Sequence, residues 1–491
     1  MNFTETIKHK IREYLILFAR TLGERKHNKG PVTRNAKSIV SKEIKIPTAI
    51  SFAITAVIIC IMCVMGTGFD SAAFVSSLIF ISTLAVFLIV QLREKEKETL
   101  KDSDAVVLMC ILLIMGVLVL QISKEYVSPF IFPIGAFAAI AAMLLSVRIG
   151  VIYALLMSIF AGMLSDMRFD VFFVMFCSGF AIIINIERVR KRSDFISSGL
   201  KAAATSAVIV SMFYFLDAYD AKNYARILFY CVLNFAASVI IILTLMPFFE
   251  KLFSRVTNIK LIELSDFNNP LLKRLMVEAP GTYHHSLMTA TIAEAAADAI
   301  GVNSLLARVG AYYHDVGKLK NPGYFIENQS GGVNPHDPLT PAMSSLILIS
   351  HIKDGAALAR KHNLDKEIID CIEQHHGTTS IYFFYRKALE ANPEASADSF
   401  RYPGPKPQTK AAAIVMIADS CEAAVRALEE PTAVRIQDVV EKIINNKFTD
   451  GQFSDCPITL KDLKNIRNSI TASLISVYHA RIEYKEDDSG N

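Results

Sequence analysis

Six apolar stretches in the first half of the chain are each long enough to cross a lipid bilayer. They cover residues 46–66, 71–92, 105–123, 129–147, 196–216 and 226–249. A hydrocarbon core of about 30 Å requires a helix of about 20 apolar residues, and a helix satisfies its own backbone polar groups there. These stretches therefore predict an α-helical membrane domain and argue against a wholly soluble protein.

Two shorter apolar stretches, 150–165 and 171–186, flank a small group of charged residues between them. They fit either two short spans or a re-entrant pair, and we favour two spans. The membrane domain is then predicted to contain about eight helices within residues 46–250. The composition agrees, because 52% of the residues are hydrophobic and only 20% are charged.

Lysine and arginine residues are distributed unevenly over the predicted loops. Twenty lie in the N-terminal segment and the alternate loops that share its side, against four in the other loops. Positive charge is enriched on the cytoplasmic side of membrane proteins. We therefore expect a multi-pass protein of the cell membrane, with the N-terminus and everything after residue 250 in the cytoplasm.

The remaining segments differ in character from the apolar stretches. Residues 1–45 are predicted to form an amphipathic segment, either on the inner membrane surface or against a partner helix. Residues 251–484 predict a soluble all-helical domain, and residues 485–491 a disordered tail. Helical apolar spacing is clearest at 282–300, 303–318, 341–362, 365–376, 408–428 and 459–484.

Nine of the eleven histidines lie in the soluble part, and none lies within residues 46–250. Several of them occur with acidic residues in a recurring order: His285, His314-Asp315, His351, His375-His376 and Asp419. Imidazole and carboxylate ligands together suit manganese, iron, cobalt or zinc better than magnesium. An aspartate that follows a histidine can bridge two ions through its two oxygens.

Such a ligand set suits chemistry on an anionic substrate. Two ions about 3.5–4 Å apart can clamp a phosphodiester, one activating water and the other stabilising the leaving oxygen. Adjacent helical residues point about 100° apart, so His375 and His376 cannot reach one ion from a regular helix. Gly377 follows them and favours a helix end, where both rings could turn to one ion.

These motifs resemble a known family. His314-Asp315-Val316-Gly317-Lys318, with His285-Ser286 before it and Asp419 after it, is similar to the HD-domain metallophosphohydrolases. The segments 279–286, 324–329 and 334–337 are closer still to the membrane-anchored HD phosphodiesterases of the seven-transmembrane-receptor class, the PgpH-like enzymes that hydrolyse cyclic di-AMP. The resemblance covers roughly residues 45–480. It implies an all-α fold and hydrolysis of a cyclic dinucleotide to the linear product pApA.

The resemblance also implies two divalent transition metal ions, most often manganese or iron, and it assigns a set of ligand residues to each ion. One ion would be bound by His285, His314, Asp315 and Asp419, and the second by His351, His375, His376 and the bridging Asp315. Lys318 is similar to the family lysine that approaches the substrate phosphate, and a solvent-exposed helix lysine is the alternative. Asp315 and Lys318 are the implied catalytic residues.

Two features next to these motifs have no assigned role in the metal set. We expect His284 to pack in the interior or to lie around the site. The loop pair His336-Asp337 could form a capping turn for a helix that begins near Pro341, or a rim that contacts substrate.

Several alternatives remain from the sequence alone. The substrate could be another anionic nucleotide: cyclic di-GMP, which the residues after Gly377 disfavour, or guanosine tetraphosphate. The chain could instead be a receptor that binds a nucleotide without hydrolysing it. A transporter is disfavoured because the strong spans contain almost no ionisable residues, and the net charge of +4 gives no support for a nucleic-acid polymer as partner. The lipid bilayer is the second expected partner, and the sequence does not determine the oligomeric state.

The chain departs from the family pattern at one place. Members usually carry a large extracellular domain after the first span, whereas only residues 66–70 join the first two predicted spans here.

Overall fold

The computed structural model describes residues 102–186, 189, 191–329 and 333–479, together with scattered positions between 55 and 100. Within these residues the architecture is all-helical, apart from one isolated β-bridge between Ser380 and Arg401. The predicted fold class is therefore confirmed. The predicted N-terminal segment 1–45, most of the spans 46–66 and 71–92, and the tail 485–491 lie outside the described residues.

Six helices form the described part of the membrane region. They are α1 (Ser103–Tyr126), α2 (Ile134–Leu144), α3 (Val147–Leu164), α4 (Phe169–Ile183), α5 (Arg192–Phe215) and α6 (Ala221–Phe253). Among the described residues, α1, α3, α5 and α6 are long and apolar enough to cross a membrane. The described structure thus contains helices that could cross a membrane, as the sequence predicts.

The predicted span 129–147 is interrupted in the structure. It consists of a 3₁₀ turn at Pro129–Ile131 and the 11-residue helix α2. Pro129 and Pro133 carry no N–H, so a continuous helix would lack hydrogen bonds there. The Asn234 amide of α6 donates instead to the carbonyls of Phe130, at 3.2 Å, and Phe132. Helix α2 is buried among its neighbours, which suits a segment too short to span a bilayer alone.

The two short stretches around residue 166 also differ from each other. Helix α3 is 18 residues long and begins at Val147, earlier than predicted, because the Ser146 hydroxyl accepts a hydrogen bond from the Ile149 N–H and caps it. Helix α4 has only 15 residues.

Ten α-helices follow in the described part of the soluble region. They are α7 (Asn258–Leu264), α8 (Pro270–Glu278), α9 (Pro280–Asp298), α10 (Ser304–Tyr313), α11 (Pro341–Lys361), α12 (Lys366–Gln374), α13 (Tyr382–Ala391), α14 (Lys410–Arg426), α15 (Ala433–Thr449) and α16 (Leu460–His479). Helices α9 and α14 lie at the centre, and both are rich in fully buried alanines that allow close packing. Around them pack α10, α12, α15 and α16.

The two regions are joined directly at the end of α6. Ser254 adopts a left-handed conformation with φ of 49° and ends the helix, and Thr257 caps α7 four residues after Phe253. Arg192 at the start of α5 forms an ion pair with Glu263 of α7 at 2.7 Å. Arg255 forms a second ion pair with Asp102, the residue that caps α1. The soluble region therefore contacts the ends of the membrane helices through charged side chains.

Candidate metal centre

Five helices bring the predicted ligand side chains to one buried position. The ligands come from α9, the ends of α10 and α12, α11 and α14, and all but His376 are at most 7% exposed. Their ligand atoms form three groups, each within 4.8 Å: His351, His375 and His376; His285, His314 and Asp419; and His314, Asp315 and His375. The structure thus brings together every ligand that the resemblance implied.

The turn after α10 places His314 and Asp315. The helix ends at Tyr313, earlier than the predicted end at residue 318, and a 3₁₀ turn continues from Val316 to Lys320. A Cβ atom on Gly317 would lie 1.8 Å from the His351 carbonyl oxygen. Only glycine therefore allows this turn to pack against α11, and this packing sets Asp315 beside His351.

The end of α12 brings two adjacent imidazoles together. The helix ends at Gln374, and Gly377 has a φ of 51°, which glycine adopts without a steric cost. The ring centroids of His375 and His376 are 4.1 Å apart. The prediction that a helix end at Gly377 allows both rings to approach one position agrees with this geometry.

Asp315 lies between the two groups of histidines. Its Oδ1 is 3.4 Å from His351 Nε2 and 3.6 Å from His375 Nε2. Its Oδ2 is 3.2 Å from His314 Nε2 and 3.7 Å from His285 Nε2. Each oxygen therefore faces one group, which is the arrangement that a bridging carboxylate requires.

Backbone carbonyls orient three of the rings. Nδ1 of His314 donates to the Ala311 carbonyl at 2.7 Å, and Nδ1 of His375 donates to the Ile372 carbonyl at 2.9 Å. His351 makes the same contact with Leu348. With Nδ1 protonated, the lone pair of each Nε2 points into the centre, as in metal-binding histidines.

The donor set fits divalent cations. His314 Nε2 and Asp315 Oδ1 are buried and have no hydrogen-bond partner. His351 Nε2 and His375 Nε2 face each other at 3.3 Å. Two lone pairs that face each other repel unless a proton or a cation lies between them.

The electrostatics differ between the two histidine groups. Burial, together with the nearby His314, lowers the pKa of His375 to about 3, so this ring is neutral and able to bind a metal. Burial alone would also lower the pKa of His314, but the carboxylates of Asp315 and Asp419 outweigh it and raise the pKa to about 10. The carboxylates thus attract positive charge, and a divalent cation bound there displaces the proton.

Lys318 lies beside this centre and is only 12% exposed. Its Nζ is 2.6 Å from Asp315 Oδ2 and 2.7 Å from Glu327 Oε1, and it lies 5.0 Å from the centroid of the Phe325 ring. The alternative of a solvent-exposed helix lysine is therefore wrong.

Sequence reasoning missed three side chains at the centre. Glu422 accepts a hydrogen bond from His285 Nδ1, and because it follows Asp419 by three residues on α14, helical spacing could have revealed it. Glu327 accepts from the Thr282 hydroxyl at 2.9 Å as well as from Lys318. The Tyr402 ring stacks on His376 with centroids 4.3 Å apart, and no sequence pattern pointed to it.

The two unassigned features also have definite positions. His284 is exposed, so the expectation that it packs in the interior was wrong. Thr340 caps α11 by accepting a hydrogen bond from the Met343 N–H, so His336-Asp337 is not the cap. His336 instead donates from Nε2 to the Tyr324 carbonyl at 2.9 Å.

Two family models match the chain. One is described as a 7TM receptor with intracellular HD hydrolase and matches residues 71–257. The other is the HD domain and matches residues 282–424, which contain all of the predicted metal ligands.

Curated relatives carry both regions. The chain is 40% identical over 423 residues to the cyclic-di-AMP phosphodiesterase PgpH of Bacillus subtilis (strain 168), covering 83% of this chain and 59% of that protein. It is 38% identical to PgpH of Listeria monocytogenes, covering 83% and 58%. The chain thus spans about three fifths of the length of these relatives.

A solved structure also matches. The crystal structure of the L. monocytogenes PgpH HD domain in complex with cyclic di-AMP is 52% identical to this chain. The match covers 44% of this chain and 100% of that one, with a TM-score of 0.42.

Proposed function

Because the chain belongs to the membrane-anchored HD-domain family, whose receptors carry an intracellular HD hydrolase, we propose that it is a metal-dependent phosphodiesterase that hydrolyses cyclic di-AMP to pApA. The observation that carries this proposal is the position of Asp315. One oxygen faces each histidine group, and one of the two is buried without a hydrogen-bond partner. A carboxylate held this way supports two adjacent cations rather than a single structural ion.

The metal ions are proposed to be manganese or iron, bound by the seven ligands that the sequence suggested. Mixed imidazole and carboxylate ligands favour these metals over magnesium. When bound, two such ions activate a water molecule and stabilise the charge that develops on a phosphodiester. Lys318 adds a positive charge beside these ligands, so a centre that holds two divalent cations would attract an anionic substrate.

Side chains beside the ligands are proposed to orient the substrate. Lys318 holds its ammonium group next to Asp315, where it can approach a phosphate oxygen and stabilise negative charge. Tyr402 covers one face of His376 and fixes the orientation of that ring. Glu327 holds Lys318 in place through its carboxylate.

The orientation in the membrane is part of the same proposal. Cyclic di-AMP is an intracellular molecule, so the soluble region must lie in the cytoplasm, as the distribution of lysine and arginine indicates. A reporter fused after Phe249 should be cytoplasmic, and one in the 217–225 loop should be external. An external position for the soluble region would contradict the proposed function.

The activity test uses the purified full-length chain with Mn²⁺ or Fe²⁺ and follows nucleotides by chromatography. We expect cyclic di-AMP to be converted to pApA, and cyclic di-GMP to be hydrolysed more slowly. Removal of the metals with a chelator should stop the reaction, and Mn²⁺ should restore it. If cyclic di-AMP binds without product in the presence of either metal, the chain is a nucleotide receptor and the proposal fails.

A further inference from the structure

A cavity of about 450 Å³ lies where the membrane helices meet the soluble region. Helices α5 and α6 form one side of it, and α7 and the start of α12 form the other. A volume of this size is in the range of small-molecule sites, which is about 300–1,000 Å³. The cavity is separate from the candidate metal centre, because none of the predicted metal ligands lines it.

The membrane side of the cavity is apolar. Phe195, Ile242, Leu243 and Met246 line it, and all four belong to helices that are long and apolar enough to span a bilayer. Pro247 also lines the cavity, and the next residue, Phe248, is 55% exposed on the outer surface of α6. The apolar wall is therefore continuous with the surface of α6 that faces the lipid chains.

Charged side chains also line the cavity. Arg192 lies at the start of α5 and Lys251 in the last turn of α6, whereas Lys260 and Lys366 lie on α7 and α12. Lys251 is exposed at the last turn of α6, and Lys260 is half-buried on α7. Arg192 and Lys251 thus lie at the ends of two helices that are long and apolar enough to span a bilayer, where we expect phospholipid headgroups.

The three carboxylates that also line the cavity are partly occupied with other groups. Glu263 is paired with Arg192 at 2.7 Å, and Glu250 accepts a hydrogen bond from the Thr257 hydroxyl. Burial raises the pKa of Asp365, and the charge of Lys260 opposes this increase. The four cationic side chains outnumber the three carboxylates, and Arg192 is already paired with Glu263, so the lysines carry the excess positive charge.

We propose that this cavity binds an anionic membrane phospholipid, with its phosphate beside Lys251 and Lys260 and its acyl chains along α5 and α6. A lysine ammonium is a compact charge with three donors, and it binds phosphate as a point charge. Basic pockets between membrane helices on the cytoplasmic side are known to suit anionic headgroups. The apolar wall distinguishes this site from one for a soluble phosphate, because a free anion would gain nothing from it.

The test measures lipid binding to the full-length chain in detergent by native mass spectrometry, without metal or nucleotide. We expect the wild type to bind phosphatidylglycerol more tightly than phosphatidylcholine. The double variant Lys251→Gln/Lys260→Gln should bind phosphatidylglycerol about 10–30-fold more weakly, because two cations near the headgroup are lost. Lys251→Arg/Lys260→Arg keeps both charges and should bind nearly as well as the wild type.

Matched controls test whether lipid binding depends on the cavity rather than on general surface charge, and whether each variant is folded. Lys273→Gln/Lys464→Gln removes two exposed lysines that do not line the cavity and should bind as the wild type does. Leu243→Trp fills the apolar part and should weaken binding while all charges stay. A melting temperature equal to that of the wild type shows that each variant is folded.

Three results would overturn the proposal. They are equal binding of phosphatidylglycerol and phosphatidylcholine, unchanged binding in both the glutamine variant and Leu243→Trp, and full displacement of the lipid by millimolar inorganic phosphate. The last result would identify a site for a soluble anion. Lipid binding is measured without substrate, so an absence of lipid binding would not contradict the proposed hydrolysis. In the same way, an absence of hydrolysis would not contradict the proposed lipid site.

Discussion

Buried polar side chains have different partners in the membrane region and in the soluble region. In the membrane helices, Ser158 and Ser206 donate their hydroxyl groups to carbonyls four residues earlier in their own helix. The Tyr153 hydroxyl donates to the Leu112 carbonyl of α1 at 2.7 Å. In the soluble region, the buried imidazoles and carboxylates converge on one another from five helices.

The difference indicates what each set of polar groups does. A hydroxyl bonded to a carbonyl of its own helix is satisfied locally and requires no further partner. A buried imidazole nitrogen and a carboxylate oxygen without partners, as at His314 and Asp315, cost free energy until a cation binds them. We therefore expect substitutions in the soluble cluster to affect metal binding and turnover, and those in the membrane helices to affect stability.

The largest expected effect comes from Asp315→Ala. It should abolish hydrolysis and lose both ions, because one carboxylate faces both histidine groups. Elemental analysis of the purified chain and a cyclic di-AMP assay measure the two effects. Asp298→Ala, an exposed aspartate at the end of α9, is the matched control and should keep both ions. His351→Ala should lose mainly one ion; two tightly bound ions in Asp315→Ala would refute the bridging role.

Lys318→Ala is expected to lower turnover by roughly 10–1000-fold, the effect of losing one stabiliser of developing negative charge. Since Lys318 is buried between two carboxylates, the variant should also lose about 3 kcal/mol of stability. Steady-state kinetics and thermal unfolding measure these separately.

A second variant separates the two effects of Lys318. Loss of Lys318 leaves the Glu327 carboxylate unpaired, and the double variant Lys318→Ala/Glu327→Gln replaces this carboxylate with a neutral amide. The double variant should therefore recover part of the stability and none of the turnover. Wild-type turnover in the single variant would mean that Lys318 only neutralises its neighbours, and the soluble cluster would then resemble the membrane helices in being structural.

Glu422→Ala should weaken metal binding by about 10–100-fold, because the carboxylate orients His285 through its Nδ1. Titration calorimetry with Mn²⁺ on the metal-free chain measures the affinity. Glu422→Gln can still accept the hydrogen bond and should lose less. If both variants bind Mn²⁺ as the wild type does, the orientation of His285 does not depend on this contact.

The smallest effect is expected in the membrane region. Tyr153→Phe should cost about 1 kcal/mol of stability, since the Leu112 carbonyl loses its additional donor, and should leave turnover unchanged. Tyr126→Phe at the exposed end of α1 is the control and should change neither quantity. A change of turnover in Tyr153→Phe alone would show that the two regions are not separate in function.

Periodicity and composition predicted the all-helical architecture well, because apolar spacing reports directly on buried helix faces. The 129–147 segment was predicted less well. Hydropathy does not depend on the backbone N–H groups, and Pro129 and Pro133 have none to donate. The helix over 303–318 ends earlier than predicted because the turn at Gly317 packs against α11, a contact that is remote in sequence.

The ligand set could be predicted from the order of histidines and acids together with the family resemblance. The residues that support it could be predicted only in part. Glu422 shares a helix face with Asp419 and was accessible to spacing arguments, whereas Glu327 lies in a one-turn 3₁₀ helix and Tyr402 in a loop, and the paths of both segments depend on tertiary packing. Neighbours in sequence can also diverge, since His284 and His285 point to solvent and to the centre respectively.

Helix α12 begins at the cavity, with Lys366, and ends at the imidazoles of His375 and His376. Its nine residues make a stiff rod of about 13 Å. A tilt of about 10° around its midpoint moves each end by about 1 Å, and a displacement of about 1 Å at a catalytic group can change a rate about 100-fold. A ligand that displaces the start of α12 would therefore also displace the imidazoles at its other end.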